Sequence, residues 1–397
     1  MSRPGGKRRV LVAPDKFRGT ATATQAAEWL SEGLRRHLPA GLVAVMPIAD
    51  GGEGTLDCFV AAGFGARPVI VSGPLGEPAL ARFASRGKTA VIEAAQACGI
   101  TLVTPAPATA MSASSFGVGQ LIRHALDLGC TDIMIGLGGT ASTDGGAGLL
   151  LALGARMADE HGRQIPPGGR GLASLETLDL QSLDPRLHSC RLTVAADVST
   201  SLLGPAGAAS VFGPQKGARA PEVAALDHGL RALARAAGAI PGRDHDDAGA
   251  RTGPGGGAGG GIAWALETLL GARQSSGAET ILDLIGFDRA AQNAGLVLTG
   301  EGVLDMSTLD GKAPAVVATR ARNQGLRVVA VTGRCTVPES LWRGAGIDAV
   351  YELAALAGSP ERSLATTPQL LRETGRRIAR REIAAAGPVL ADTGEAI

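Results

Sequence analysis

Short apolar runs that end at glycine or at an acidic residue recur along this chain. Six of them have the length of buried strands, at residues 10–13, 43–46, 133–135, 192–195, 296–298 and 328–331. Apolar spacing of three and four residues predicts helices between them, as in residues 22–38, where Ala26, Leu30 and Leu34 share one face. The repeated order of strand, polar turn and helix predicts an α/β protein with largely parallel sheets.

Four glycine-rich turns carry a carboxylate or a lysine. They lie at residues 49–55, 136–146, 212–217 and 299–305, and the last runs on to Gly311 and Lys312. Glycine lets backbone amides approach an anion, and acids in the same turns indicate a metal ion between them and phosphate. We expect each turn to follow a strand, because parallel sheets bind ligands at the carboxyl ends of their strands. Ordinary turns and helix caps use the same residue types, so this alternative stays open.

Composition excludes several classes of function. The 397 residues are 45% hydrophobic, 19% charged and 3% aromatic, with a formal net charge of +1, so nothing favours nucleic acid or a membrane as a partner. The five cysteines lack a Cys-x-x-Cys pair, which argues against disulfides and structural zinc. No signal peptide or membrane-spanning stretch is evident, so we expect a cytoplasmic protein.

The glycine-rich residues 236–261 are either a flexible linker or a loop that presents a helix at 262–270 to an anion.

Two nucleotide-binding motifs fit the sequence incompletely. Residues 87–89 supply the second half of a P-loop, but Arg82 stands where the first glycine belongs. Residues 136–141 fit Gly-x-Gly-x-x-Ala after a strand, and Asp159 follows about twenty residues later, as in a dinucleotide site. An NAD-dependent hydroxyacid dehydrogenase is therefore an alternative, although the carboxylate of Asp144 would lie in the helix start that must hold pyrophosphate.

Five ordered motifs resemble the bacterial glycerate kinases of type I. They are Ala-Pro-Asp-Lys-Phe-Arg-Gly at 13–19, Ala-Asp-Gly-Gly-Glu-Gly-Thr at 49–55, the glycine turn at 138–148, Phe-Gly-Pro-Gln-Lys-Gly-Ala at 212–218, and Thr-Gly-Glu-Gly at 299–302 with Gly-Lys-Ala-Pro at 311–314. The resemblance implies phosphorylation of D-glycerate by ATP with magnesium, and 2-phosphoglycerate is the favoured product.

The resemblance also implies an architecture and a set of partners. It implies a discontinuous Rossmann-like α/β domain of residues 1–70 and 291–397, an inserted α/β domain of residues 71–290, and an active site in the cleft between them. We expect a small-molecule substrate and a monomer or homodimer. Lys16, Thr143, Val303 and Ser307 depart from the usual residues of the family. These departures leave open a catalytically impaired, nucleotide-binding relative of the kinase.

Residue types then suggest roles for the charged side chains. Lys216 and Lys312 are candidates to neutralise phosphate oxygens, because each is a compact charge beside glycine. Asp197 is the first candidate to accept or orient the hydroxyl proton, and Asp305 is the second. Either aspartate could instead cap a helix or bind magnesium. We expect the magnesium ligands to come from Glu301, Asp144 and Glu53.

Two further sets of residues complete the predicted site. We expect the glycine turns to hold nucleotide phosphates through Gly138, Gly139, Thr140, Ser142, Gly145, Gly300 and Gly302. We expect glycerate to be bound by Asp15, Lys16, Arg18, Asp50 and Gln215.

Overall fold

A computed structural model describes residues 9–240 and 254–383 of the chain. The chain divides into two units, the first made of Met1–Asp50 and Ala278–Ile397, and the second of Gly51–Gly277. The second unit is therefore inserted within the sequence of the first. The divisions fall after residues 50 and 277, whereas the sequence motifs placed them near 70 and 290.

The strands and helices of the described residues are numbered along the chain. The strands are β1 (Arg9–Pro14), β2 (Val43–Val45), β3 (Gly65–Ser72), β4 (Pro78–Arg86), β5 (Thr89–Glu93), β6 (Asp132–Gly136), β7 (Arg156–Ala158), β8 (Thr177–Asp179), β9 (Arg191–Ala195), β10 (Arg273–Ser275), β11 (Ala294–Leu304), β12 (Arg327–Cys335) and β13 (Ala349–Glu352). The helices are α1 (Ala23–Leu34), α2 (Thr55–Ala61), α3 (Ala95–Cys98), α4 (Pro107–Ser112), α5 (Phe116–Asp127), α6 (Ala147–Ala152), α7 (Ala208–Phe212), α8 (Ala220–Gly238), α9 (Ile262–Trp264), α10 (Gly277–Ile285), α11 (Phe287–Ala291), α12 (Met306–Leu309), α13 (Ala313–Asn323), α14 (Glu339–Gly344), α15 (Leu353–Ala357), α16 (Pro360–Ala365) and α17 (Thr367–Ile378). None of the described helices is long and apolar enough to cross a membrane.

The first unit is built on an all-parallel sheet in the order β13-β12-β11-β1-β2. Val12, Val297 and Val329 are completely buried in its central strands, as expected where a parallel sheet is covered on both faces. Helix α1 begins with a capping box between Thr22 and Gln25 and buries its apolar face in the same core as Val12. The prediction of an α/β fold with parallel sheets is confirmed in this unit.

Strand β11 is longer than its apolar run. The glycine and acidic residues at 299–305 predict a turn, but the strand continues to Leu304. Its register places Gly300 beside Pro14 of β1 and Val331 of β12. A Cβ at Gly300 would lie 2.0 Å from the carbonyl oxygen of Val331, so the glycine permits close strand packing. The predicted turn is therefore wrong at Gly300 and Gly302, which lie within a strand.

The second unit is built on a six-stranded sheet in the order β10-β9-β6-β5-β4-β3. Strands β5, β6, β9 and β10 are parallel, whereas β3 and β4 form an antiparallel hairpin at one edge. Strand β3 pairs along its whole length with β4. This hairpin explains why residues 65–72 belong to the second unit rather than to the first.

The glycine-rich residues 255–261 are packed inside the second unit. A Cβ at Gly260 would lie 2.0 Å from the carbonyl oxygen of Ser142, and one at Gly261 would lie 2.7 Å from the Cα of Gly145. The interpretation as a flexible linker is therefore wrong for this part, while residues 241–253 lie outside the described residues. The helix predicted at 262–270 is present as α9 followed by a π-helical turn, Ala265–Leu269.

Substitution of Gly260 tests this close packing. Gly260→Ala combines a left-handed backbone (φ 70°) with a backbone clash, whereas Gly271→Ala has a similar φ of 71° and open space around its Cβ. We expect Gly271→Ala to lower the free energy of unfolding by ~1 kcal/mol, and Gly260→Ala to lower it by at least ~2 kcal/mol more, because a packed interior resists extra atoms. Urea unfolding of both variants measures the difference, and equal losses would contradict the packing described here.

Candidate active site

A lysine between two carboxylates lies at the carboxyl end of β1. Asp15 follows that strand directly, is 5% exposed, and donates its backbone N–H to the carbonyl oxygen of Gly300 over 2.7 Å. The Nζ of Lys16 lies 3.2 Å from Oδ1 of Asp50 and 3.7 Å from Oδ1 of Asp15. The structure thus brings together three of the residues predicted to bind glycerate. Arg18, the fourth, is exposed.

Glu301 lies on β11, the strand that pairs with β1. Its residue is 8% exposed, and its Oε1 atom is buried without a hydrogen-bond partner. Thr308 and the charges of Lys312, Asp15 and Asp305 influence the proton affinity of this carboxyl group. Glu301 is therefore a buried acid with one oxygen that lacks a hydrogen-bond partner, and it lies near the charges of Lys312, Asp15 and Asp305.

Burial is the largest single influence on the pKa values of Asp15, Lys16 and Glu301. Burial raises the pKa of Asp15 to about 6, although the Lys16 charge opposes it. Burial likewise raises the pKa of Glu301 to about 7, against the opposing effects of Thr308 and Lys312. Burial lowers the pKa of Lys16, but the carboxylates of Asp15 and Asp50 outweigh it and hold that pKa above its ordinary value. Two acids here titrate near neutral pH, as functional carboxylates often do.

Asp305 serves as a helix cap. It precedes α12, and its Oδ1 accepts hydrogen bonds from the N–H of Thr308 over 3.0 Å and from the Ser307 hydroxyl over 2.5 Å. The hydrogen bond from Ser307 keeps the pKa of Asp305 below its usual value. Lys312 donates to the Ser307 oxygen, and its Nζ lies 3.9 Å from Oδ1 of Asp305. Of the roles left open for Asp305, this geometry favours the cap.

In the second unit, the glycine turn at residues 51–54 packs against the carboxyl ends of the sheet strands. A Cβ at Gly136 would lie 2.5 Å from the carbonyl oxygen of Gly51, and one at Gly138 would lie 2.7 Å from the Cα of Gly52. These two turns are therefore in direct backbone contact. Glycine is required at these positions because any side chain would collide with the backbone of the other turn.

Glu93 anchors the same turn, and sequence reasoning missed it. It ends β5, is 4% exposed, and its Oε1 accepts a hydrogen bond from the N–H of Leu56 in the first turn of α2. Its Oε2 accepts one from Gln96. Burial raises the pKa of Glu93, and these hydrogen bonds oppose the rise. An acid directly after a short apolar run was the available signal.

Asp144 is completely buried and holds the 136–146 turn together. Its Oδ2 accepts hydrogen bonds from the N–H and hydroxyl of Ser115 (2.8 and 2.9 Å) and from the N–H of Gly148 (3.2 Å). Its Oδ1 accepts one from the N–H of Gly146 over 3.1 Å. Both oxygens of Asp144 accept hydrogen bonds from backbone and hydroxyl donors, which favours a structural role in this turn over the expected role as a magnesium ligand.

Lys216 is a buried lysine beside that turn. It follows helix α7 rather than a strand, is 4% exposed, and donates from Nζ to the carbonyl oxygen of Ser142 over 2.5 Å. Burial lowers the pKa of Lys216 to about 8, and Cys98 and Asp144 oppose this. Burial also raises the pKa of the Cys98 thiol to about 12, so Cys98 is neutral. The expectation that the 212–217 turn follows a strand is wrong.

The remaining predicted residues differ in exposure. Gly138 and Gly139 are exposed at the start of their turn, whereas Thr140, Ser142 and Gly145 are buried. Asp197 is exposed, and its Oδ1 accepts a hydrogen bond from the N–H of Gly277 over 3.0 Å.

The predicted magnesium ligands are divided between the two units. Glu53 is an exposed residue of the second unit, whereas Glu301 belongs to the first. Gln215, which was predicted to bind glycerate, is also exposed in the second unit. Across residues 9–240 and 254–383, no group of three or more His, Cys, Asp or Glu side chains has the arrangement of a metal site. A metal site made by protein ligands alone therefore receives no support from the described residues.

Comparison with known proteins identifies the family. The family model described as "Glycerate kinase family" matches residues 10–382. The chain belongs to the glycerate kinase family. It is therefore an enzyme of the phosphotransferase class, as the five motifs predicted.

Relatives along the whole chain agree with this membership. The chain is 38% identical over 375 residues to a glycerate kinase of Bacillus subtilis, covering 94% of this chain and 97% of the relative. It is 38% identical over 354 residues to a glycerate 2-kinase of Escherichia coli, covering 88% and 92%. A crystal structure from Salmonella typhimurium LT2, provisionally assigned as glycerate kinase 2, has a TM-score of 0.83 at 35% identity and covers 96% of this chain and 100% of its own.

Family membership and geometry together disfavour the dehydrogenase alternative. In a dinucleotide site the helix begins directly after the glycine motif, whereas here β6 ends at Gly136 and α6 begins only at Ala147. Asp159, the expected ribose ligand, instead accepts hydrogen bonds from the N–H and Nε of Arg163. The glycines at residues 136–141 therefore do not form a dinucleotide-binding motif.

The buried ammonium of Lys216 predicts a specific pH dependence of stability. Its pKa is about 8 in the folded chain, against 10.5 for an exposed lysine, so unfolding takes up a proton between these values. Below pH 8, burial of the Lys216 ammonium lowers the free energy of unfolding by its full amount. As the pH rises above 8, the folded chain loses this proton and the destabilisation disappears. The free energy of unfolding should therefore rise through this window, by up to roughly 3 kcal/mol, relative to a Lys216→Met variant.

Denaturant titrations at several pH values measure this effect. Lys88→Met is the matched control, because it removes an exposed lysine of the same unit and should show no such relative change. If the wild type and Lys216→Met run parallel across the window, the ammonium is not buried as described.

Proposed function

We propose that this protein transfers the γ-phosphoryl group of ATP to a hydroxyl of D-glycerate and releases ADP. The observation that carries the proposal is the family match over residues 10–382. The relative from Escherichia coli is named a glycerate 2-kinase, which supports 2-phosphoglycerate as the product.

Phosphoryl transfer requires positioning and charge neutralisation more than covalent chemistry from the protein. Lys312, with its side chain 39% exposed, is our candidate to neutralise phosphate oxygens, because it has solvent access and precedes helix α13. The exposed amides of Gly138 and Gly139 are the candidates to bind nucleotide phosphates. Lys216 is buried and donates a hydrogen bond to the carbonyl oxygen of Ser142. We propose that it stabilises the 136–146 turn and does not contact the phosphates.

The group Asp15, Lys16 and Asp50 is our candidate to bind glycerate. The Lys16 ammonium offers a charge to the substrate carboxylate, and the aspartates offer acceptors to its hydroxyls. Exposed Arg18 supplies a second cation nearby in sequence. A hydroxyacid with one carboxylate and two hydroxyls matches this mixture of charges.

Magnesium enters this proposal as part of the substrate. The predicted ligands do not fit a resident ion, because Asp144 is engaged by backbone donors and the described residues hold no three-ligand cluster. Magnesium commonly keeps most of its ligands as water and phosphate oxygens. We therefore propose Mg·ATP as the phosphoryl donor, and no step here depends on an ion held by the protein.

Direct assay tests the proposed reaction. Purified protein with Mg·ATP and D-glycerate should release ADP in proportion to phosphoglycerate, and phosphorus NMR should identify 2-phosphoglycerate. A panel of other hydroxyacids with ATP reports the breadth of specificity. Binding of ATP without turnover of any hydroxyacid would contradict the proposal and favour the impaired, nucleotide-binding relative.

Removal of Lys312 tests its proposed role. Lys312→Met should lower kcat by about 10²–10³-fold, because a preorganised positive charge stabilises the transferring phosphoryl group. Lys88→Met removes an exposed lysine far along the sequence and should leave kcat within about twofold. A near-normal rate for Lys312→Met would exclude the side chain from phosphate neutralisation.

A further inference from the structure

The unsatisfied Oε1 atom of Glu301 indicates contact with a ligand. Buried polar atoms in folded proteins almost always have a hydrogen-bond partner, and each exception needs an explanation. The residue is 8% exposed, and Oε1 is buried without a partner. Glu301 is paired with Thr332 in the parallel register, at the carboxyl-end region of β11 where such sheets bind substrates. A substrate hydroxyl would satisfy the orphan oxygen.

The other acids near this end of the first sheet are engaged by neighbours. The Oδ1 of Asp15 accepts the N–H of Lys16 over 2.6 Å and lies beside the Lys16 ammonium. Asp50 pairs with that same ammonium. The Oδ1 of Asp305 accepts the Thr308 N–H and the Ser307 hydroxyl. Glu301 differs from these acids in having a buried carboxyl oxygen, Oε1, that has no hydrogen-bond partner.

The electrostatic setting of Glu301 suits proton transfer. Burial and the negative charges of Asp15 and Asp305 favour its protonated form, while Thr308 and Lys312 favour the ionised form. The balance leaves its proton affinity near neutrality, where a general base is both ionised in part and able to hold a proton. By contrast, the hydrogen-bonded cap Asp305 is a weaker base.

We propose that Glu301 is the general base of the phosphoryl transfer, with Oε1 accepting the proton of the attacking glycerate hydroxyl. The inference rests on the proposed function. The O–H bond of glycerate breaks and its proton goes to Oε1, while the hydroxyl oxygen forms a bond to the γ-phosphorus. The bond from that phosphorus to the bridging oxygen breaks, and ADP leaves with the electron pair.

This assignment replaces the two aspartates that sequence analysis favoured. Asp305 holds the start of α12 through its capping hydrogen bonds. Asp197 accepts the N–H of Gly277 in the second unit. Both carboxylates serve local structure in this geometry, so their amide variants are informative controls for a loss of base catalysis at Glu301.

Glu301→Gln is the decisive variant, because it keeps the shape of the side chain and removes the proton acceptor. We expect kcat on D-glycerate to fall by about 10²–10⁴-fold, the usual contribution of a general base. The KM values for ATP and glycerate and the half-saturating magnesium concentration should change by less than about threefold. Asp305→Asn and Asp197→Asn should each retain at least about one-tenth of the wild-type kcat.

A second variant keeps the test valid if the first perturbs the fold. Glu301→Ala opens space where formate can bind, so added formate should restore part of the lost rate by accepting the proton. Thermal unfolding of both variants reports whether the fold is intact. Formate should have no effect on Asp305→Asn, which retains Glu301.

Three results would overturn the inference, and they separate it from the proposed function. Turnover by Glu301→Gln above about one-tenth of wild type would show that the carboxylate is not the base. A rate loss that higher magnesium restores would assign Glu301 to metal binding instead. A wild-type protein that phosphorylates no hydroxyacid would overturn the proposed function and this inference together, whereas an active wild type confines the failure to Glu301.

Discussion

Strand β11 pairs with β1 in parallel, and the register sets Gly300 beside Pro14 at the ends where substrates bind. Because both strands run the same way, residues that are almost 290 positions apart in the sequence reach the same edge of one sheet. The charge of Asp15 consequently raises the pKa of Glu301. This effect depends on the pairing of the two strands.

In the second unit, backbone contact between glycine turns brings distant parts of the chain together. Gly51 lies against Gly136, Gly52 lies against Gly138, and Gly260 lies against the carbonyl of Ser142. Side chains would force these segments apart, so the glycines here are needed for packing as well as for conformational freedom. Glu93 and Asp144 then fasten the turns by accepting backbone hydrogen bonds.

Charge burial is the common cost of both arrangements. Asp15, Glu301 and Lys216 are each at most 8% exposed, and desolvation disfavours the charged form of every one. Each charge has a compensating neighbour, but compensation is incomplete at Glu301, where an oxygen has no partner. Incomplete compensation is expected of a site that is completed by its substrate, since stability and function place opposed demands on such groups.

The sequence by itself determined the α/β class, the strand cores and the family. It also indicated most of the charged residues of the candidate site. These follow from local signals: apolar runs of strand length, glycine beside acid, and ordered motifs. The roles of individual side chains depend on contacts between distant segments, which local signals do not encode. Asp305 and Asp144 resemble catalytic or metal-binding acids in sequence, and only their hydrogen-bond donors reveal a cap and a turn anchor. The packed 255–261 segment resembles a linker for the same reason, because glycine is favoured both in flexible chains and where backbones touch. Tertiary structure alone decided that Glu301 retains an unsatisfied oxygen, because that depends on every neighbour the fold brings to it.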